Sequence, residues 1–293
     1  MDLLSQLNAA MQYVEAHIDD DMALDDVSSV TSYSPYHFGR LFYYIAELPL
    51  SEYIRKRKLS LAAAELQGSN VRVIDLAVKY GYDSADSFAR AFAKQHGITP
   101  SAARQAGVNL KIFLPLTFQI KIQGVNEMNW RIEEREAFEV FGIERIFGND
   151  ETGLVPDFWT QCHQRGSYEK LLRDAGDNGH AHIFGGVRVI NAVCGYRETI
   201  DGAFPYMICA LKTSDSNTAE YATAVIPKST WAVFRSDKIA GFGEAIPTLF
   251  NRAYSEWLPS SGYDKANTAD LELYCMDEDG GMYEEVWLPV VKR

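Results

Sequence analysis

The sequence predicts an all-α amino-terminal domain of two tandem helix-turn-helix units, followed by an α+β domain with an antiparallel sheet. Three observations carry that prediction. A short helix, a turn and a longer helix occur twice within the first 110 residues. Beyond them the helical period gives way to short β-branched and aromatic runs bounded by turn residues. The chain has 293 residues, enough for two domains with separate cores.

Leu3, Leu7, Ala10, Met11, Val14 and Ile18 recur at three and four residues, one face of a helix that the acidic run Asp19–Asp21 closes. Leu24, Val27 and Val30 make a short helix. Ser34 can then cap, and Pro35 suits the first position of a helix carrying Phe38, Leu41, Phe42 and Ile45. A longer helix over about residues 50–66 holds Arg55, Lys56, Arg57 and Lys58. Four consecutive cations cannot share one face of a helix, so at most one or two can touch phosphate, and the run reads equally as a solvated or paired surface face. Val73, Leu76 and Ala77 repeat the short helix, Gly81 permits the turn, and Asp83 or Ser84 caps a helix with Phe88, Phe92 and Ala93. Setting SYSPYHFGRLF against GYDSADSFARAF pairs Tyr33 with Tyr82 and Phe42 with Phe92, an internal repeat.

In the second part, KIFLPLTFQIKIQGV alternates but holds a proline, which suits a connecting or edge segment. WRIEEREAFEVFGIERIFG reads as paired strands, and VPDFWTQCHQRGSYEKLLRDAG as a helix broken near Gly166. GGVRVINAV, PYMICALKTS, EYATAVIP and TWAVFRS are short strands. A helix then buries Ile246, Leu249, Phe250, Ala253 and Trp257, before strands at DLELYCM and YEEVWLPVV. Helices on one face of a mostly antiparallel sheet give an α+β domain, and the order of elements suggests a duplication. The expected limits are 1–108 for the helical domain, 109–127 for a linker or first strand, and 128–293 for the second domain.

A formal net charge of -12 excludes a polycation that coats nucleic acid, but not a small DNA-reading module within an acidic protein. Cys162, Cys194, Cys209 and Cys275 lie far apart with no CxxC pair, as expected of free thiols in a reducing cytoplasm. Neither a secretion signal nor a membrane span is visible, so a cytoplasmic protein without a membrane partner is expected. GxSxG, P-loop, HExxH and cysteine-rich metal spacings are missing. Of the clustered His163, His180 and His182, the last two can approach a shared ion from alternate positions, but GHAHIFGG lacks a convincing third ligand and reads better as a turn or solvated pair. No catalytic residue, metal or cofactor is therefore assigned.

The first third of the chain resembles the DNA-binding domain of AraC/XylS-family transcription regulators. The resemblance rests on LDDVSSVTSYSPYHFGRLF, PLSEYIRKRKLSLAAAEL and IDLAVKYGYDSADSFARAFAKQHGITP, with the turn glycine, the RAF core and the terminal GxTP. The remainder is similar to the GyrI-like, or SOUL-like, effector-binding domain, through SYEKLLRDAG, LELY and EEVWLPV. Together they imply a transcription regulator that reads a double-stranded promoter under control of a small effector, with RNA polymerase as a further partner.

The family pattern places Pro35 to Tyr44 and Ser84 to Gln95 in the major groove. Tyr36, His37 and Arg40 are the exposed candidates of the first unit, with Arg40 able to donate twice to guanine. The second unit offers Ser84, Ala85, Ser87 and Arg90, with Lys94 a phosphate contact and Asp86 departing from the polar face the family pattern expects.

On DLELYCM, period two sets Glu272, Tyr274 and Met276 on one face and Leu271, Leu273 and Cys275 on the other. A carboxylate beside an aromatic ring is a receptor for a lipophilic cation, and the resemblance implies an internal glutamate in an aromatic cleft. Glu272 can equally lie on a solvent face, and Glu285 is the rival acid. Trp159, Phe158, Tyr206 and Trp231 can line the cleft or simply fill the core. The alternative reading is a small-molecule-binding protein or hydrolase of the GyrI-like class with weakened DNA binding. A scaffold protein is a third class, disfavoured by the tandem units.

Overall fold

Most of the apolar positions spaced at three and four residues are buried in the computed structural model, which describes residues 3–105, 107–119, 127–176, 190–199 and 203–293. The helices of the first part are α1 (Leu3–Ala16), α2 (Leu24–Ser28), α3 (Pro35–Ala46), α4 (Leu50–Gly68), α5 (Val73–Lys79), α6 (Ala85–His96) and α7 (Pro100–Ala103). Contacts divide the chain into two units. One is Met1–Ser32 with Leu48–Ile120, and the other is Tyr33–Glu47 with Lys121–Arg293. The helix α3 therefore belongs with the second unit.

In the first unit, Leu59, Ala62, Ala63 and Leu66 of α4 pack with Leu76 and Ala77 of α5 and with Phe88 and Phe92 of α6. Full burial of each phenylalanine contributes about 1.5–3 kcal/mol. The turn between α5 and α6 needs a positive φ, which Gly81 supplies at +77°. Ser84 caps α6 by accepting the amide of Ser87 at 3.1 Å, and Gly97 ends it in the left-handed region.

Arg57 ties α4 to α1. It is buried, donates to Glu15 Oε1 at 2.8 Å and Oε2 at 2.7 Å, and also donates to the carbonyl of Phe113. Burial alone would raise the Glu15 carboxyl, but bonds from Arg57 and Tyr53 hold it below its ordinary range. The segment after α7 is fastened by its backbone rather than by strand pairing. The amides of Phe113, Leu116 and Phe118 each donate at 2.9 Å, to Ser60 Oγ, the Tyr53 hydroxyl and Asn8 Oδ1.

The second unit is built on β1 (Asn129–Arg135), β2 (Phe138–Phe147), β3 (Ile190–Cys194), β4 (Phe204–Leu211), β5 (Ala222–Ile226), β6 (Ser229–Arg235), β7 (Tyr263–Lys265), β8 (Asp270–Met276) and β9 (Met282–Lys292). Its further helices are α8 (Val155–Gln164), α9 (Ser167–Asp174) and α10 (Ile246–Arg252), the last running on through a π turn at Ala253–Trp257. Among the described residues the sheet order is β1-β6-β9-β8-β3-β4-β2-β5, all antiparallel, with β7 on β9.

That order reads the same from both ends when β1, β2, β3 and β4 are matched with β5, β6, β8 and β9. Each half inserts helix between its second and third strands, so the unit is a duplication in which the halves exchange their first strands. The sheet separates two cores. Val140, Val193, Met207, Trp231, Leu271, Leu273 and Trp287 fill one face. Phe141, Phe147, Tyr206 and Ile208 lie on the other with Phe158 and Cys162 of α8 and Leu171 of α9.

Candidate effector site and DNA-reading residues

Alternation along β8 sends Leu271, Leu273 and Cys275 into the first core and leaves Glu272, Tyr274 and Met276 on the face that carries the helices. There a cavity of about 1050 Å³ opens between α8 and the start of α10, with β8 as its floor. Trp159 and Pro156 of α8, Tyr168 of α9, Tyr206 of β4, and Phe242 and Gly243 before α10 line it. Arg40, Tyr43 and Tyr44 of α3 complete the wall.

The polar groups in this wall form a directed chain. The Trp159 indole donates to the Tyr206 hydroxyl at 2.8 Å, and that hydroxyl donates to Glu272 Oε2 at 2.8 Å. Glu272 is 5% exposed, and burial pushes its carboxyl up to about 6, against the opposing charge of Arg40 and the Tyr206 hydrogen bond. Near neutral pH it is therefore largely an anion held in an aromatic setting. Trp159 and Tyr274 lie with ring centroids 5.4 Å apart, and Phe242 stacks on Tyr274 at 5.6 Å.

Two further residues shape the cavity without any sequence signal. Asn191 of β3 donates to the Tyr168 hydroxyl at 3.0 Å and accepts the Tyr274 amide at 2.9 Å. Glu284 of β9 is fully buried and accepts the amides of Gly243, Ala245 and Ile246, which holds the segment behind Phe242 in place. Burial raises its carboxyl, while the three N–H groups oppose the rise.

Two of the sequence-predicted ligand residues are elsewhere. Glu285 stands opposite Leu273 in the β8–β9 register, so it points to the far face. There Arg131 grips it with two bonds of 2.9 and 3.0 Å, and the Trp287 indole donates to it at 2.9 Å. Trp231 is fully buried in the same far core. Phe158 packs between α8 and the sheet rather than on the cavity. Glu272, Tyr274, Trp159 and Tyr206 come together.

The expected exposure of Tyr36, His37 and Arg40 is not found, because their side of α3 lies against the sheet unit. Tyr36 is 9%, His37 4% and Arg40 5% exposed. The Arg40 Nε is 3.6 Å from Asp270 Oδ2, and Lys265 Nζ is 2.8 Å from the other oxygen of the same carboxylate. Burial would raise Asp270, but Lys265 and Arg40 outweigh it and hold the carboxyl low. His37 bridges Ser34 Oγ at 2.8 Å and the Thr268 carbonyl at 3.0 Å, and burial lowers its imidazole to about 3, which keeps it neutral.

On α6, Asp86, Arg90 and Lys94 are exposed at four-residue spacing, one stripe of the helix, with Ala85 beside them half-buried. Ser84 and Ser87 spend their hydroxyls on each other and on the cap. In the cationic run of α4, Arg57 is structural, Arg55 and Lys56 pair with Glu52, and Lys58 donates to the Asp20 carbonyl at 3.0 Å.

His163 sits on the cavity rim, 3.3 Å from Glu169, and His180 and His182 lie outside the described residues. Among the described residues no cluster of metal-ligating side chains occurs, and no helix is long and apolar enough to cross a membrane. All four cysteines are buried, and none forms a disulfide.

Comparison with known proteins matches both parts. The profile of the GyrI-like small molecule binding domain covers residues 128–291, more than half of the chain, and a helix-turn-helix domain profile covers 27–106. The HTH-type transcriptional activator AarP of Providencia stuartii is 40% identical over 100 residues, 34% of this chain and 74% of that protein. The right origin-binding protein of Escherichia coli K12 is 33% identical over 106 residues, 36% of this chain and only 37% of that one. The solved structure of SAV2435 bound to tetraphenylphosphonium covers 56% of this chain and 94% of its own, at 19% identity and a TM-score of 0.43. The chain belongs to the GyrI-like small molecule binding family, joined here to the helix-turn-helix domain of AraC-type transcription regulators.

Proposed function

We propose that this regulator senses a lipophilic, aromatic cation in the cavity above β8, with Glu272 as the counter-charge. The observation that supports this best is the pairing of a buried carboxylate with aromatic walls in a space of about 1050 Å³. A cation entering it exchanges hydration for one ionic contact and several π faces, and Tyr206 fixes the direction in which Glu272 presents its charge. Neutral ligands of the same shape gain only the apolar part.

On the DNA side, Arg40 with Tyr36 and His37 reads base edges only once α3 leaves the sheet, Arg90 and Lys94 meet phosphate, and Ser84, Ala85 and Ser87 border the groove entered by the second unit. The exposed Arg90–Lys94 stripe supports the phosphate role. In this reading the helical domain spans about 1–108 and the sensing domain 128–293. The protein acts in the cytoplasm on double-stranded promoter DNA, with RNA polymerase as the machinery it affects.

Calorimetric titration with tetraphenylphosphonium and with tetraphenylborate, equal in shape and opposite in charge, tests the effector reading. The cation should bind at a single site and the anion should not. Equal binding of both would reduce the site to an apolar pocket.

A further inference from the structure

Arg40 reaches the wall of the effector cavity from α3, the helix whose residues the family pattern assigns to DNA. Its guanidinium carbon lies 4.4 Å from the centroid of Phe250, 5.4 Å from that of Tyr44 and 5.8 Å from that of Tyr36. It donates to the Tyr36 hydroxyl at 2.9 Å and to Cys194 Sγ, with Asp270 at its edge. A delocalised cation on aromatic faces beside a carboxylate is the same chemistry the cavity offers to an effector.

Arg40 is one of two buried cations set against the carboxylates at this site. Arg40 and Lys265 face Asp270 and Glu272, all four at most 6% exposed, while Glu284 is satisfied by three backbone N–H groups. Withdrawing Arg40 takes one of these two cations away from the buried carboxylates, which is costly away from water. A monovalent cation in the cavity replaces the charge that Arg40 supplied, and a neutral molecule does not.

Tyr44, itself in the cavity wall, stacks on Phe250 at 4.9 Å and on Tyr254 at 5.8 Å, and further contacts of α3 fall outside the cavity. The ring of Tyr36 lies on Gly195, where an added Cβ would stand 1.9 Å from Tyr36 Cε1. The amide of Asn251 donates to the Tyr44 carbonyl, and His37 meets the Thr268 carbonyl.

Resting on the effector reading above, we propose that Arg40 is an internal occupant of the cation site, and that a cationic effector displaces it, releasing α3 so that Tyr36, His37 and Arg40 become available to DNA. Effector binding and DNA reading are then coupled through one side chain, and the coupling is reciprocal.

Hydrogen exchange of residues 36–46 in the full-length chain, with and without saturating tetraphenylphosphonium, reads the displacement directly. The expected result is at least a tenfold faster exchange with the cation and no change with tetraphenylborate. Gly195→Ala, a wedge against Tyr36, and Asn251→Ala, a milder loss of one hydrogen bond, should each speed exchange without ligand. Each should also raise the affinity for a genomic fragment selected with the wild-type protein, about tenfold for the wedge.

Cation binding with unchanged or slowed exchange of α3 overturns the proposal and leaves the effector reading intact. Failure of the cation to bind wild type and both variants removes the effector reading and the proposal with it. If the wedge variant does not fold, Asn251→Ala decides the outcome, and wild-type exchange and DNA affinity overturn the proposal.

Discussion

The Tyr206 hydroxyl donates to Glu272 Oε2 at 2.8 Å while accepting the Trp159 indole N–H at 2.8 Å. With its proton committed to the carboxylate, Tyr206 aims Glu272 and links a strand residue to α8. The arrangement gives the site a charge, a direction and a titration within reach of ordinary pH.

The pH dependence of cation binding follows from the free-state value. Glu272 titrates at about 6, raised by burial. A bound cation favours the ionised form, so binding below that value must expel a proton. Affinity for tetraphenylphosphonium should be flat above about pH 7 and fall by up to about tenfold per unit below pH 6. Titration calorimetry between pH 5 and 8 checks this, and a flat profile would show that Glu272 is not the counter-charge.

Replacing Tyr206 by Phe removes a hydrogen bond that lowers the Glu272 carboxyl, so the midpoint of that profile should move upward. The same change leaves the Trp159 indole and one carboxylate oxygen without their partner, at a cost of about 1–3 kcal/mol in stability. Denaturant unfolding and the pH series together separate the two effects.

Arg57 is a structural residue despite its place in the densest cationic run. Loss of its two bonds to Glu15 in Arg57→Ala should cost about 2–3 kcal/mol of stability, since Glu15 is partly exposed and the loss is tempered by solvent. Lys58→Ala should stay within about 0.5 kcal/mol. Urea unfolding of the two variants tests the contrast, and equal stabilities would contradict it.

Arg90→Ala and Lys94→Ala should weaken DNA binding to all sequences alike, each reducing the salt-dependence slope by about 1. Affinity measured across salt concentrations on specific and scrambled fragments checks this. A change confined to one sequence would make the altered residue a base reader instead.

Period-two alternation made the β8 faces legible, because a strand between two buried layers must send successive side chains to opposite cores. The tandem helical repeat was legible for the same kind of reason. Glu285 misled because its distance along the chain says nothing of register, and the β8–β9 pairing brings Glu284, not Glu285, beside Tyr274.

The covering of α3 was missed for a related reason. Its Phe38, Leu41 and Phe42 mark one buried face, and the opposite side reads as solvent unless the partner of Arg40 is known. That partner, Asp270, lies 230 positions further on. The one available signal was the cluster of Tyr36, Tyr43 and Tyr44, more aromatic surface than a wholly exposed helix face needs.

Binding of tetraphenylphosphonium to wild type and to Glu272→Gln decides whether Glu272 holds a cationic effector. The variant, which keeps the shape and loses the charge, should fold normally and bind the cation about ten- to a hundredfold more weakly. Equal affinity in the two proteins would contradict that role.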